Sequence, residues 1–274
     1  MHPKLRIGAV EYLNAKPLIY DLQRIAADCE LILDLPSRLA DRLAANDLDV
    51  ALVPVIEYLR AGNYALVPDI AIATRGPVLS VTLFSKVPWK EIRTVALDEG
   101  SRTSAALAQV ILRRRYDVRP RFEHLPIDAD PESVPTDAVL LIGDRAMHAC
   151  LAGHPYAYDL GEEWADWTGL PFLFAVWAVR PGVPLDRVTA ALQDAKALGL
   201  ANVGTIAERE AKRLGLGAGY CRRYLTNVIR YDLGPRELAG LRKFNTWATE
   251  LGLIPKDAAC GDPTGAPLNN LAPV

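Results

Sequence analysis

The sequence predicts an α/β protein of two lobes, each a mostly parallel sheet flanked by helices, with a ligand cleft between them. Three observations predict it. β-Branched runs alternate with helical patterns from residue 6 to residue 74; two long extended runs, Val78–Ser85 and Phe172–Arg180, bracket the stretch 86–171; and that stretch carries strand and helix signals of its own.

The strand candidates that open the chain are Arg6–Val10, Leu31–Leu35, Asp49–Val53 and Ile70–Thr74. Between the second and third, PSRLADRLAAND puts Leu39 and Leu43 on one helical face, with Ser37 suited to cap the helix start. Strand, helix and strand in that order imply a right-handed crossover and a parallel sheet. Parallel sheets bind ligands beyond the carboxyl ends of their strands. Tyr12–Ala15 and Pro54–Ile56, each following a strand, are therefore the expected ligand edge.

The bracketed stretch reads as a strand at Thr94–Leu97, a helix from Ser101 to Tyr116, and strands at Arg121–Leu125 and Ala138–Gly143. The expected lobes are 1–84 with 180–274, and 85–179, joined by hinge strands at 78–85 and 172–180. Beyond Pro184 the pattern is helical at 185–198, 202–215, 219–228 and 235–252, with Pro235 in a first turn and Gly252 as a C-terminal cap. The tail KDAACGDPTGAPLNNLAPV lacks periodicity and reads as a surface strap or a disordered end.

Composition narrows the partners. The chain has 274 residues, 50% hydrophobic and 23% charged, with a formal net charge of -2, so no overall basic field exists to hold nucleic acid or an anionic membrane. Lys4, Arg6 and Glu11 interrupt the start before a signal-peptide core can form, and no uncharged stretch is long enough to span a bilayer; a cytoplasmic protein is expected. Cys29, Cys150, Cys221 and Cys260 form no CxxC pair, and His2, His124, His148 and His154 show no metal-type spacing. Free thiols, no metal and no cofactor are expected.

The strongest anion-site signal is DEGSRTSAALAQVILRRR. Gly100 permits a tight turn, Ser101, Thr103 and Ser104 offer hydroxyls, and the helix start offers unpaired N–H groups and the positive end of its dipole. The plainer reading is that Ser101 caps a helix. Arg102 either meets an anion or, by default, faces solvent, and Arg113–Arg115 complement the dipole as a solvated face. In YLNAKP, Tyr12 and Asn14 directly follow a strand; Asn14 either caps the next helix or serves as a neutral donor and acceptor for a polar ligand, and Lys16 is expected to face water. Ser80 either bonds backbone or faces the cleft. In LLIGD, Gly143 would let a ligand approach the backbone, and Asp144 reads as a helix cap before it reads as a base. Trp164 and Trp167 read as packing. No Ser-His-Asp order, paired-carboxylate motif, P-loop or GxGxxG fingerprint can be assembled.

Together, IGAVEYLNAKPL, GPVLSVTLFSK, LDEGSRTSAAL, LLIGD, DLGEEWADWTGLPFLFAVWAV and YDLGPRELAGLRKF resemble the chorismate dehydratase family of the futalosine route of menaquinone biosynthesis, in order and over nearly the whole chain. The resemblance implies a fold like type 2 periplasmic binding proteins and a cofactor-independent loss of water from chorismate, giving 3-[(1-carboxyvinyl)oxy]benzoate. It makes Asn14 the catalytic candidate, an amide that orients reacting groups or assists hydroxide departure, since it cannot be a general base at neutral pH. Ser80, Thr103 and Ser104 would hold carboxylates, with Tyr12, Ser101, Arg102, Gly143 and Asp144 around the substrate. No side chain stands out as the base, which leaves a substrate carboxylate to act as its own. The sister 1,4-dihydroxy-6-naphthoate synthase family carries a histidine in an Ile-His-Glu context where this chain reads Ile142-Gly143-Asp144, which argues against the sister reaction. A non-catalytic small-anion binding or sensing protein of the same fold is the other alternative.

Overall fold

The computed structural model describes residues 4–258, 260–262 and 268. Its strands are β1 (Leu5–Ala9), β2 (Cys29–Leu33), β3 (Val50–Pro54), β4 (Ala65–Thr74), β5 (Val81–Ser85), β6 (Thr94–Asp98), β7 (Arg121–Leu125), β8 (Ala138–Ile142), β9 (Tyr156–Asp159), β10 (Phe172–Val179) and β11 (Ile229–Arg230). They form two sheets, ordered β11-β4-β10-β3-β1-β2 and β7-β6-β8-β5-β9, the two-lobed α/β architecture that the alternating pattern predicts. Parallel pairing is confined to β1 with β2 and β3, and to β6 with β7 and β8. β10 runs antiparallel to β3 and β4, and β5 antiparallel to β8 and β9, so both sheets are mixed. Each of these two strands reaches its sheet from the other lobe.

The long extended runs divide differently from the expected hinge strands. β5 lies wholly in the second sheet and β10 wholly in the first, so the chain crosses between sheets at 75–80 and 160–171. Residues 78–80 precede β5, and Leu79 adopts a positive φ of 61°, which ends any extended run there. One carboxylate pins both crossings. Asp159 accepts the N–H groups of Val78 and Leu79 on the way out, at 2.9 and 2.7 Å, and caps the return helix through Gly161 and Glu162.

The helices are α1 (Leu22–Ile25), α2 (Pro36–Ala44), α3 (Val55–Ala61), α4 (Thr103–Val110), α5 (Gly143–His148), α6 (Leu160–Thr168), α7 (Leu185–Ala201), α8 (Val203–Leu214), α9 (Ala218–Arg223) and α10 (Pro235–Glu250). Pro36, with its fixed φ, opens α2; Ser37 lies buried in the first turn and caps nothing. Pro235 does the same for α10, and Gly252, at φ +73°, follows that helix's final residues as the expected chain reversal. Two predicted helices end in π-helical turns, Ile111–Arg115 after α4 and Tyr224–Val228 after α9. β9 escaped the sequence reading because it is short and its side chains are only partly covered.

Trp164 packs edge-on against Phe172, Phe244 and Trp247, and Trp167 stacks on Trp247, which locks α6, β10 and α10 together behind the crossings. Lys16 does not face water: it is buried between Glu210 and Glu11, each 3.9 Å away. The three arginines at 113–115 also do more than cover a solvated face. Arg114 pairs with Glu250 and Arg115 with Glu163 at 2.8 Å, while Arg113 lies over the Phe122 ring. Cys150, Cys221 and Cys260 are free thiols. Part of the tail straps the first lobe: the Cys260 thiol meets the Tyr58 and Leu59 carbonyls, Tyr58 Oη donates to the Gly261 carbonyl, and Asp262 pairs with Arg242. Residues 259, 263–267 and 269–274 of the tail, and His2, lie outside the described residues. Among the described residues no helix is long and apolar enough to cross a membrane, and no cluster of His, Cys, Asp and Glu has the make-up of a metal site.

Candidate functional site

A cleft of about 560 Å³, counted out to its open mouth, lies between the two sheets. Tyr12, Asn14, Ser80, Ser101, Arg102, Thr103, Ser104 and Gly143 all line it, so segments far apart in the chain converge on one cavity.

The turn after β1 supplies Tyr12 and Asn14. Residues 13–19 wind into a 3-10 helix whose start has no side-chain cap, so Asn14 is not spent on the backbone. Its Oδ1 is buried and has no protein partner. Tyr12 lies across two glycines. A Cβ on Gly143, itself at φ +61°, would fall 3.0 Å from the Tyr12 ring, and one on Gly100 would fall 3.3 Å from the Tyr12 hydroxyl. Burial, reinforced by the nearby Asp98 and Asp144 charges, pushes the Tyr12 phenol well above its ordinary pKa and keeps it a neutral donor.

The DEGSRTS turn is built by Asp98. Its side chain accepts the Gly100 N–H at 2.9 Å and its backbone carbonyl accepts that of Ser101 at 3.0 Å. α4 then starts with Arg102 as its cap residue and no side-chain cap bond, so Ser101 is not the helix cap. The first-turn N–H groups at this end carry partial positive charge into the cleft wall. Thr103 Oγ1 accepts the Ile56 N–H at 3.3 Å, joining α4 to the first lobe where Pro54–Ile56 had been expected to meet ligand. Arg102, half-buried, is paired within the protein: it bonds Asp41 at 2.8 Å and reaches Glu57 at 3.5 Å.

Ser80 is buried, with its hydroxyl 2.8 Å from the Tyr224 hydroxyl and 3.4 Å from the Val78 carbonyl. Asp144 departs from expectation. It neither lines the cleft nor caps α5; its carboxylate accepts the Leu13 N–H at 3.0 Å and pairs with Arg213 at 3.1 Å. The rest of the wall is apolar, including Leu52, Pro54, Ile72 and Phe174. Sequence reasoning passed over these because a buried strand residue facing a cleft has the same composition as one facing the core. Tyr224 was missed for a similar reason, since it sits in a helical pattern near the C-terminus with nothing local to mark it.

Among the described residues that line the cleft, none is His, Asp, Glu or Lys, and the one charged side chain, Arg102, is already paired. The cavity therefore offers an anion neutral donors and a helix start, in apolar surroundings where such hydrogen bonds are strong.

A sequence model of the menaquinone biosynthesis family matches residues 5–250. The chain is 33% identical to the chorismate dehydratase of Thermus thermophilus over 265 residues, covering 90% of this chain and 95% of that protein. It is 26% identical to the chorismate dehydratase of Campylobacter jejuni, covering 86% of this chain and 94% of that one. Among solved structures, protein AF1704 from Archaeoglobus fulgidus superposes with a TM-score of 0.77 at 17% identity, covering 92% of this chain and 99% of that chain. The periplasmic aliphatic sulphonate binding protein SsuA from Escherichia coli superposes at 0.63 and 16% identity, covering 100% and 94%. The likeness to SsuA shows a periplasmic-binding-protein fold, and by the match across residues 5–250 the chain belongs to the menaquinone biosynthesis family.

Proposed function

We propose that the protein is a chorismate dehydratase, eliminating water from chorismate to give 3-[(1-carboxyvinyl)oxy]benzoate without a cofactor, and that it works in the cytoplasm. The observation that carries the reading is a cleft between the lobes that joins Asn14, Ser80 and the Ser101–Ser104 helix start yet has no His, Asp, Glu or Lys among its described lining residues. Two relatives bearing that name align over most of the chain.

The chemistry asks little of the protein by way of acids and bases. The C3 proton leaves to a base, the C3–H electrons form the new ring double bond, and hydroxide departs from C4 and takes up a proton as water. The ring becomes aromatic, so the protein has mainly to position the substrate, desolvate it and stabilise developing charge. As C3 loses its proton, charge spreads into the ring carboxylate, where neutral hydroxyls and the start of α4 would receive it. With no such base among the described residues of the wall, a carboxylate of the substrate itself takes the proton. Asn14, neutral and buried at its oxygen, would hold the reacting groups in line. Tyr12 packs so closely over Gly143 that a side chain there would have to displace its ring, which disfavours the sister reaction with its histidine at that position.

The test is to incubate the purified protein with chorismate alone and follow the products by NMR. Formation of 3-[(1-carboxyvinyl)oxy]benzoate is expected. Prephenate, 4-hydroxybenzoate, or decay no faster than in buffer would reject the assignment, and binding without turnover would make the chain an anion-binding protein instead.

A further inference from the structure

Asp98 sets the turn that leads into α4, and in doing so it places a buried negative charge behind a wall fitted to receive an anion. Its Oδ1 accepts the Gly100 N–H at 2.9 Å, and Gly100 and Ser101 both line the cleft. A Cβ on Gly100 would fall 3.3 Å from that oxygen and 3.3 Å from the Tyr12 hydroxyl, so only a glycine separates the Asp98 carboxylate from the cavity. The other oxygen, Oδ2, is buried without a hydrogen-bond partner. Facing it at 3.6 Å is Arg145 Nη1, also buried and also without one. Arg145 is fixed from elsewhere, its Nη2 donating to the Ala129 carbonyl. Neither Asp98 nor Arg145 lines the cleft.

At 3.6 Å the pair is too long for a hydrogen bond, so what Arg145 gives Asp98 is charge rather than orientation. Resting on the chorismate reading, we propose that Arg145 is a positioning residue that acts through Asp98: its guanidinium offsets the carboxylate that builds the DEGSRTS turn, so that Tyr12, Gly100 and the start of α4 can hold a substrate carboxylate on the other side. The turn needs an acceptor for the Gly100 N–H, and a carboxylate is a strong one. Its charge would repel a dianion in the cleft, and apolar surroundings screen that repulsion weakly. The one charged side chain among the described residues of the wall does not counter it, since Arg102 is taken up by Asp41 and Glu57. Arg145 supplies the countercharge from behind, without meeting substrate, and the front of the wall keeps its neutral donors. Burial raises the Asp98 carboxyl above its ordinary pKa, with the Gly100 N–H and the Arg145 charge pulling against it.

The test reads the binding of isophthalate, an aromatic dianion with no water to lose, to the full chain by calorimetry, with KM for chorismate measured alongside. Arg145→Met should raise the isophthalate Kd about tenfold or more by leaving the Asp98 charge bare, and KM should rise with it. Adding Asp98→Asn to that variant removes the bare charge and keeps an acceptor for Gly100, so most of the loss should be recovered. Were the pair merely structural, the second change would add to the damage. Arg145→Lys, which keeps the countercharge, should stay within about threefold of the parent. Failure of Asp98→Asn to recover binding overturns the proposal, and so does a loss in Arg145→Lys as large as in Arg145→Met, or an Arg145→Met protein that binds isophthalate as the parent does. Should Arg145→Met not fold, Asp98→Asn alone decides: with Arg145 left unopposed, the Kd should fall about threefold or more, and an unchanged or weaker affinity overturns the proposal. Isophthalate binding needs no turnover, so a protein that leaves chorismate intact would refute the functional reading while the part played by Arg145 is still judged by calorimetry.

Discussion

The Leu13 backbone N–H donates to Asp144 Oδ1 at 3.0 Å, joining the turn that carries Tyr12 and Asn14 to the second lobe. The same carboxylate pairs with Arg213 of α8, and Arg213 with Glu210, which also lies 3.9 Å from Lys16 of the 3-10 helix. At another border of the cleft, Arg102 reaches from the second lobe to Asp41 and Glu57 of the first. The two lobes are thus joined beside the site by polar contacts as well as by the two chain crossings.

Asp144→Ala should therefore act on both stability and function. It removes one hydrogen bond and one ion pair from a partly buried site, a loss of about 2 kcal/mol. Thermal unfolding should fall by a few degrees and kcat/KM for chorismate should drop, with Asp144→Asn intermediate because one acceptor oxygen remains. Unfolding scans and steady-state kinetics on the three proteins check this.

Asn14→Ala separates a cap from a catalytic group. No cap bond involves Asn14, so its removal should leave the unfolding temperature near that of the parent. Turnover should fall by about two orders of magnitude or more if the amide acts on the reacting atoms. A kcat within a few fold of the parent would leave Asn14 without a chemical role.

Thr103 has two duties that Val and Ser distinguish. Its hydroxyl accepts the buried Ile56 N–H and is placed to donate to a carboxylate. Thr103→Val should lower kcat/KM by about tenfold and also destabilise the protein by about 1 kcal/mol, through the orphaned N–H. Thr103→Ser should restore most of both, as read by kinetics and by chemical denaturation.

Gly143→Ala tests the contact with Tyr12. The added Cβ would meet the ring at 3.0 Å in a backbone conformation with φ +61°, so both sterics and strain oppose it. A cost of about 1 to 2 kcal/mol from the backbone alone is expected, with further loss of activity as Tyr12 is displaced. Denaturant titration and kinetics of the variant give the two parts.

The acid limb of stability should run through Asp49. Burial pushes its carboxyl up, but hydrogen bonds from Arg6 and Arg180 outweigh this and hold it below the usual carboxylate range. A group lowered in the folded state stabilises the fold above its unfolded pKa, about 4, and loses that contribution as pH falls through the folded value. The unfolding temperature should therefore decline below about pH 4. Asp49→Asn should be less stable at neutral pH and show a shallower acid decline.

The local patterns were legible wherever one residue type has one conformational use. Pro36 and Pro235 mark helix starts because their fixed φ suits a first turn, Gly252 marks a reversal, and β-branched runs mark strands β1, β3 and β6. Through the motifs, the sequence itself also located Tyr12, Asn14, Ser80 and the Ser101–Ser104 helix start. What it could not determine was which of these residues the fold would leave open to a ligand. Arg102, Lys16 and Asp144 look solvent-directed or helix-capping in isolation, and each is instead spent on a contact with residues distant in the chain. The same holds for Ser80, whose hydroxyl is met by Tyr224 from a turn of helix 144 residues further along the chain. Backbone preferences act over a few residues and can be read in order; the pairing of buried polar groups is settled only when distant segments compete for the same donors and acceptors, and that competition exists only in the folded chain.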